Sequence, residues 1–223
     1  MIVGLLGFIG SGKGTAGDIL KDAGFIPLSF AKSVKDVTAE MFNWPRHLLE
    51  GDTQHSREWR EKPDTFWSKE FGEEFTPRTA LQLMGTEVGR NIFHDDFWVI
   101  KVKKFIEQNP QANYVITDCR FKNEKDFVHN MGGTLIEIER GPNPHWYDIA
   151  WRANSSSTPD TKEMNFMMYS SNIHESEWRW IGNDIDHTIV NNGTLEDLKQ
   201  KIFSCLTKTY GPNTISELTQ GVI

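Results

Sequence analysis

The sequence predicts an α/β fold of three layers, with about five parallel strands flanked by helices. Three observations predict it. Short apolar, β-branched runs recur along the 223 residues. Segments with helical spacing separate them. A glycine-rich loop stands where the first run ends. Strand, helix, strand repeated in this way gives a parallel sheet covered by helices.

The strand candidates are "MIVGLL" (1–6), "FIPLSF" (25–30), "NYVITD" (113–118), "GTLIEIE" (133–139) and "DHTIVN" (186–191). Their lengths suit buried strands. A helix is expected over 12–22, directly after the glycine loop. Val34, Val37 and Met41 share one helical face, as do Leu81, Met84, Val88 and Ile92. Leu195, Leu198, Ile202 and Cys205 form a third such face near the end. The closing "GPNTISELTQGVI" reads as a peripheral tail.

One domain spanning 1–223 accommodates these elements, with two insertions that break the rhythm. Residues 43–78 are rich in Trp, Arg, Glu and Pro; residues 141–182 carry Pro, Asn and Ser, then Met and Trp. Long non-core insertions in a compact α/β domain are often lids or substrate covers. Their aromatic residues need covering, which argues against full disorder.

Composition excludes several function classes. The formal net charge of -7 disfavours a nucleic-acid groove reader, because polyanion binding needs a basic surface. Cys119 and Cys205, far apart, give no disulfide framework and fit a reducing, cytoplasmic compartment. No apolar stretch approaches the length of a membrane span.

The loop "GFIGSGKGT" (7–15) carries the chemistry. Gly7, Gly12 and Lys13 match G-x-x-x-x-G-K, a phosphate-binding P-loop, between a strand and a helix as that motif requires. Backbone N–H groups must approach phosphate oxygens closely, and glycine removes the Cβ that would intervene. The following helix points its positive dipole end at the anion, and Lys13 adds a mobile cation. Gly10, Ser11, Gly12, Gly14 and Thr15 complete the ATP-side candidates. The three-layer P-loop NTPase fold is therefore expected. Gly14 occupies the usual hydroxyl position, and the hydroxyl falls one residue later at Thr15. "GSGKGT" resembles the loop of nucleoside monophosphate kinases, and that resemblance puts Thr15 among the phosphates, with either it or a water to hold Mg²⁺. The N-K-x-D and D-x-x-G motifs of GTP switches are both missing.

A second constellation, "YVITDCRFKNE" (114–124), places Asp118, Arg120 and Glu124 at a strand's carboxyl end, where open α/β sheets bind ligands. Asp118 is placed to coordinate Mg²⁺ through water or to accept a hydrogen bond from a nucleotide. Arg120 is placed to stabilise charge on a transferring phosphoryl group. The alternative is structural, with Asp118 capping the next helix and Arg120 pairing with Glu124. In a third stretch (77–98), Arg78 precedes an amphipathic segment and Gly85 interrupts it. Gly85 either admits a close neighbour or ends one helix and starts another. Trp98 follows as core or as a nucleotide-facing ring.

Taken in order, "GFIGSGKGT", "FAKSVKDV", "REWRE", "RTALQLMGTE", "FWV", "TDCRFKNE", "GGTLIEIER" and "IVNNGTLEDL" resemble the phage deoxynucleoside monophosphate kinases from end to end. The resemblance implies transfer of the ATP γ-phosphoryl group to a deoxynucleoside monophosphate, with Mg²⁺. It implies that Lys35, Arg57, Arg78, Gly85, Trp98, Asp118, Arg120 and Glu124 bind the acceptor, with Arg60 competing for the role of Arg57. It makes Lys13 and Arg120 catalytic and puts Asn192, in "NNGT", on the adenine side, unless that turn only lets Thr194 cap a helix. The insertion 43–78 becomes the acceptor region and 141–182 a lid-like region, with Arg140, Arg152 and Arg179 as lid arginines. The acceptor phosphate is already anionic, so none of the seven histidines is a catalytic candidate. Partners are small nucleotides, neither nucleic acid nor membrane, with a homodimer possible. Host cytoplasm is the location if the gene belongs to a phage. Two rivals are a dephospho-coenzyme A kinase type, in which Asp118 would act as a base, and a non-catalytic ATP-binding protein.

Overall fold

The computed structural model describes residues 1–155, 162–182, 184–214 and 218. Five parallel strands form one sheet in the order β2-β3-β1-β4-β5. They are β1 (Ile2–Leu6), β2 (Ile26–Leu28), β3 (Tyr114–Ile116), β4 (Thr134–Glu139) and β5 (His187–Val190). Each lies inside one of the five runs expected from sequence. β1, buried at every position, is central. β2 is an edge strand, where the missing N–H of Pro27 leaves no central ladder position unpaired. The register pairs Gly4 with Ile116 on one side and with Leu135 on the other.

Two compact units are present. The first comprises residues 1–28 and 106–223 and contains the sheet. On one face, α1 (Lys13–Asp22) and α10 (Leu195–Tyr210) supply Ala16, Leu20, Leu198, Ile202 and Leu206 against Val3, Leu5, Ile136, Ile138 and Ile189. Burying such side chains contributes roughly 1.5–3 kcal/mol each before entropy is counted. On the other face α7 (Lys122–Asn130) brings Val128 within contact of the Gly4 position, beside Leu135 and Cys119. Thr194 caps α10 as expected, exchanging hydrogen bonds with Asp197. Leu195, assigned to the buried face, is the first residue of the helix and is 62% exposed. Most of the closing tail lies outside the described residues.

The first unit also holds α8 (Tyr147–Ser155), a short α9 (Lys162–Asn165) continued by a π-type turn, and a 3₁₀ turn at Glu175–Glu177. Trp178, Trp180 and Ile181 are almost fully buried. Asn154 donates to the Trp178 and Ile181 carbonyls, and the buried Lys125 donates to the Trp180 carbonyl.

The second unit, residues 29–105, contains α2 (Ala31–Phe42), α3 (Gln54–Glu61), α4 (Thr65–Phe71), α5 (Pro77–Gln82) and most of α6 (Phe97–Gln108). Its own core gathers Ala39, Trp44, Leu49, Phe75 and Ala80, with Phe42 stacked 4.6 Å from Trp44. The Trp-rich stretch is therefore ordered helix. Ahead of α3 and α4, Thr53 and Asp64 accept the capping amides that free helix ends need. α5 runs without a break into an eleven-residue π-helix, Leu83–Phe93. Gly85 lies inside it and ends nothing. The wider winding turns the expected stripe aside: Met84 is buried, but Ile92 is 71% exposed. On α2, Val34 is buried whereas Val37 and Met41 are exposed.

Glu137, on β4, is a buried acid, 5% exposed. Burial first and the charge of Glu139 second push its carboxyl up, to about 7 once the opposing Lys125 charge and Thr188 hydrogen bond are included. A raised acid binds its proton more tightly when folded. Its stabilising contribution is complete below the ordinary value of 4.5 and is lost as pH rises through about 7. Glu137→Gln should therefore gain on the wild type by about 2–3 kcal/mol between pH 5 and pH 8. Urea unfolding at both pH values measures this, and an unchanged difference would contradict it.

Candidate active site

The glycine loop follows β1 and the Asp118–Arg120 turn follows β3, both at strand carboxyl ends. β1 runs into the glycine loop, and α1 begins at Lys13 as expected. Gly12 is the helix N-cap, left-handed at φ 105°, with no side chain capping the first turn. The first amides of α1 therefore lack intrahelical partners, the condition for anion binding. Gly10 and Gly14 face open space. Gly7, at φ +130°, is needed for a different reason: a Cβ there would overlap the Ile138 carbonyl oxygen of β4. Ser11 is buried, and among the described residues its hydroxyl has no hydrogen-bond partner.

Lys13 arches back over the loop, donating to the Gly7 carbonyl at 2.6 Å and the Phe8 carbonyl at 2.8 Å. Burial first and the Arg120 charge second lower its ammonium, to about 8 once the opposing charges of Glu177 and Asp118 are included. The four side chains thus share one electrostatic neighbourhood of two cations and two anions. Phe8 anchors the loop in an aromatic cage, with Trp180 at 4.9 Å and Trp146 at 5.7 Å.

Arg120 lies between β3 and α7. Its guanidinium pairs with Glu177 at 3.0 Å and reaches the Ser176 carbonyl at 3.4 Å, 56 residues away. It does not pair with Glu124. That buried carboxylate accepts the Arg120 and Phe121 amides at 2.6 and 3.1 Å, tying down the start of α7. Asp118 is not the N-cap; Phe121 holds that position. Thr15 is exposed, and its hydroxyl has no hydrogen-bond partner among the described residues. Among the expected lid arginines, Arg152 pairs with Glu163, Arg179 lies 4.7 Å over the Trp178 ring, and Arg140 is exposed.

In the second unit, Lys35 pairs with Glu50 at 2.6 Å. Arg46, which sequence reasoning did not single out, pairs with both Glu50 and Asp36. Partial burial would raise the Glu50 carboxyl, but the hydrogen bonds and charges of Lys35 and Arg46 bring it below the usual range. Arg57 donates to the Asp52 carbonyl at 3.0 Å, Arg78 pairs with Glu61, and the Arg60 guanidinium packs directly on Gly51.

The same unit has an apolar cleft of about 220 Å³ walled by Val37, Met84, Val88, Phe93, Phe97 and Trp98. Lys101 donates to the Ser33 hydroxyl at its edge. The Trp98 indole donates to the Gly85 carbonyl at 2.8 Å. Gly89, missed from sequence, is what admits this ring: a Cβ there would stand 2.5 Å from the indole nitrogen. A Cβ at Gly85 would meet only ordinary contact, 3.6 Å from Val34.

An all-parallel sheet with a glycine cup at the exit of its central strand defines a P-loop α/β protein, the fold of P-loop kinases. Comparison with known proteins is more specific. The family model "Deoxynucleotide monophosphate kinase" matches residues 49–148. A putative deoxynucleotide monophosphate kinase of Acanthamoeba polyphaga mimivirus is 32% identical over 221 residues, covering 92% of this chain and 96% of the viral protein. A deoxynucleoside-5'-monophosphate kinase of Escherichia phage T5 is 42% identical over 68 residues, 28% of this chain and 27% of its own. The chain belongs to the deoxynucleotide monophosphate kinase family.

The two glycines at the loop's start separate steric need from conformational need. Gly7→Ala should cost about 2 kcal/mol or more and abolish the thermal stabilisation given by ATP, since backbone blocks the new Cβ. Gly10→Ala, at φ +80° in open space, should cost only about 1 kcal/mol. Denaturant unfolding of the pair measures both; equal costs would refute the steric assignment.

Proposed function

We propose that this chain transfers the γ-phosphoryl group of ATP to a deoxynucleoside 5'-monophosphate, giving ADP and the deoxynucleoside diphosphate. The observation that carries the reading is the glycine cup with Lys13 lying across it, next to Arg120. The triphosphate replaces the Gly7 and Phe8 carbonyls as the partner of Lys13, and the open amides of Gly12, Lys13, Gly14 and Thr15 receive its oxygens. Gly10 and Ser11 shape the loop, and the exposed Asn192 serves the adenine side.

Phosphoryl transfer needs positioning and charge neutralisation more than covalent chemistry. Arg120 stabilises charge on the moving phosphoryl group. Glu177, fixed next to the buried Trp178, keeps that guanidinium aimed. Lys35, Arg57 and Arg78 take the acceptor's phosphate and sugar. The apolar cleft beside Trp98 takes its base, with Gly85 at the rim. Asp118 and Glu124 belong to the acceptor side as well, Glu124 through the backbone that carries Arg120. The Thr15 hydroxyl and the Asp118 carboxylate are hard oxygen donors that fit Mg²⁺, a cation usually bound by few protein ligands together with substrate phosphates. Bound there, it would neutralise charge between the β- and γ-phosphates. The region 141–182, with Phe166 and Tyr169 exposed, forms the lid-like part of this reading. Action in a reducing cytoplasm and a homodimer complete it; sedimentation equilibrium tests the latter.

Coupled ADP release with ATP and each deoxynucleoside and ribonucleoside monophosphate should give acceptor-dependent turnover. ATP binding with no acceptor-dependent ADP release would defeat the proposal. Lys13→Ala should abolish transfer with the fold intact. Arg120→Ala should reduce kcat on the order of 10³-fold. A change confined to the acceptor's KM would make Arg120 a binding group. Glu177→Gln should lower kcat by about tenfold but have little effect in an Arg120→Ala background.

A further inference from the structure

The loop after β5 contributes a residue that the catalytic reading leaves unused. The Asn191 side chain, half-buried, donates from Nδ2 to the Ser11 carbonyl at 2.8 Å, across 180 residues of sequence. The same nitrogen occupies the place a Gly12 Cβ would take. These two observations describe one fit. Gly12 is left-handed and bare, and the Asn191 amide fills the space its bareness leaves.

Asn191 is itself held from both sides. Its backbone N–H donates to the Glu139 carbonyl at 2.7 Å, extending the β4–β5 ladder by one step. Three residues later, Thr194 and Asp197 cap α10 reciprocally. Lys201 fastens the preceding Val190 carbonyl at 2.7 Å. A side chain on so fixed a backbone delivers its donor within a narrow range of positions.

The consequence lies in the Ser11–Gly12 peptide plane. In a trans peptide the carbonyl and the N–H point in opposite directions. A donor pinning the Ser11 oxygen therefore also fixes the direction of the Gly12 N–H, which points away from Asn191. Glycine at positive φ otherwise leaves such a plane easy to rotate. The Ser11 hydroxyl, unpartnered among the described residues, cannot hold it.

We infer that Asn191 is a positioning residue for the triphosphate site, holding the Ser11–Gly12 peptide in the orientation that receives phosphate. The inference rests on the donor-site reading above. It assigns Asn191 a different task from Asn192, which follows it on the exposed side of the turn. The residue type follows from the contact. A carbonyl needs a donor, which Asn supplies and ionised Asp does not. Aspartate would also set a negative charge against the carbonyl oxygen and the incoming phosphates.

Two variants test this, with inorganic tripolyphosphate as a probe that has no base, sugar or acceptor. Asn191→Ala removes the donor, and the nearly isosteric Asn191→Asp replaces it with acceptors. Calorimetric affinity for tripolyphosphate should fall by about tenfold in the alanine variant and further in the aspartate variant. KM for ATP should rise in parallel, while KM for the acceptor stays within about twofold. Far-ultraviolet circular dichroism should match the wild type. Tripolyphosphate affinity within about twofold of wild type in both folded variants would overturn the inference. So would a matching rise in both KM values, the mark of general loosening. If the wild type itself failed to bind tripolyphosphate, the donor-site reading would fall, and this inference with it.

Discussion

A phosphate can be gripped by backbone amides only where no side chain stands between them, and the first unit is arranged around that exclusion. At Gly7 the neighbouring strand's Ile138 carbonyl fills the space, and at Gly12 the Asn191 amide does. Neither glycine is merely flexible. Each is a place where another part of the chain has taken the volume of a Cβ. The loop's open conformation is thus imposed from outside, by β4 on one flank and the end of β5 on the other, while Trp180 and Trp146 hold Phe8 at its start.

The second unit uses the same device around one of its own rings. Gly89 gives way to an indole, and the π-helix that carries it opens a cleft whose walls are almost entirely carbon. Such walls bind a planar ring by contact area and offer little to read its hydrogen-bonding edge. Lys101 lies at the cleft's edge, while Lys35, Arg46, Asp36 and Glu50 form one linked network on α2 and the turn that follows. Pre-pairing these cations with carboxylates limits the repulsion among them.

The sheet was legible because each strand is a short apolar run bounded by turn residues, and the loop because its motif binds spacing to context. α10 was readable through the Thr194 cap and a regular apolar face. The π-helix was not, since its stripe at 84 and 88 also fits ordinary helical spacing and nothing local announces the wider winding. Residues 178–181 fell within the long insertion 141–182, whose length and composition suggest a cover; their burial and their partners Asn154 and Lys125 show that the tryptophans point inward. The partners of the site residues were the least readable. Glu177 meets Arg120 across 57 residues and Asn191 meets Ser11 across 180. No spacing rule spans such distances, and neither Glu nor Asn is unusual in a polar turn. Gly89 was not legible because a glycine in a helical pattern carries no mark of the ring that will pack on it, here Trp98.

The position of β1 has a consequence for how the protein is made. The strand and its loop are synthesised well before the parts that flank them: the strands on either side of β1 begin at residues 114 and 134, and the amide that braces the loop comes from residue 191. Chains are synthesised at roughly 5–20 residues per second, so the nascent cup waits several seconds for its neighbours. Nucleotide cannot chaperone the early stages of folding. The capacity to hold it arrives only once the stretch around residue 191 has been made.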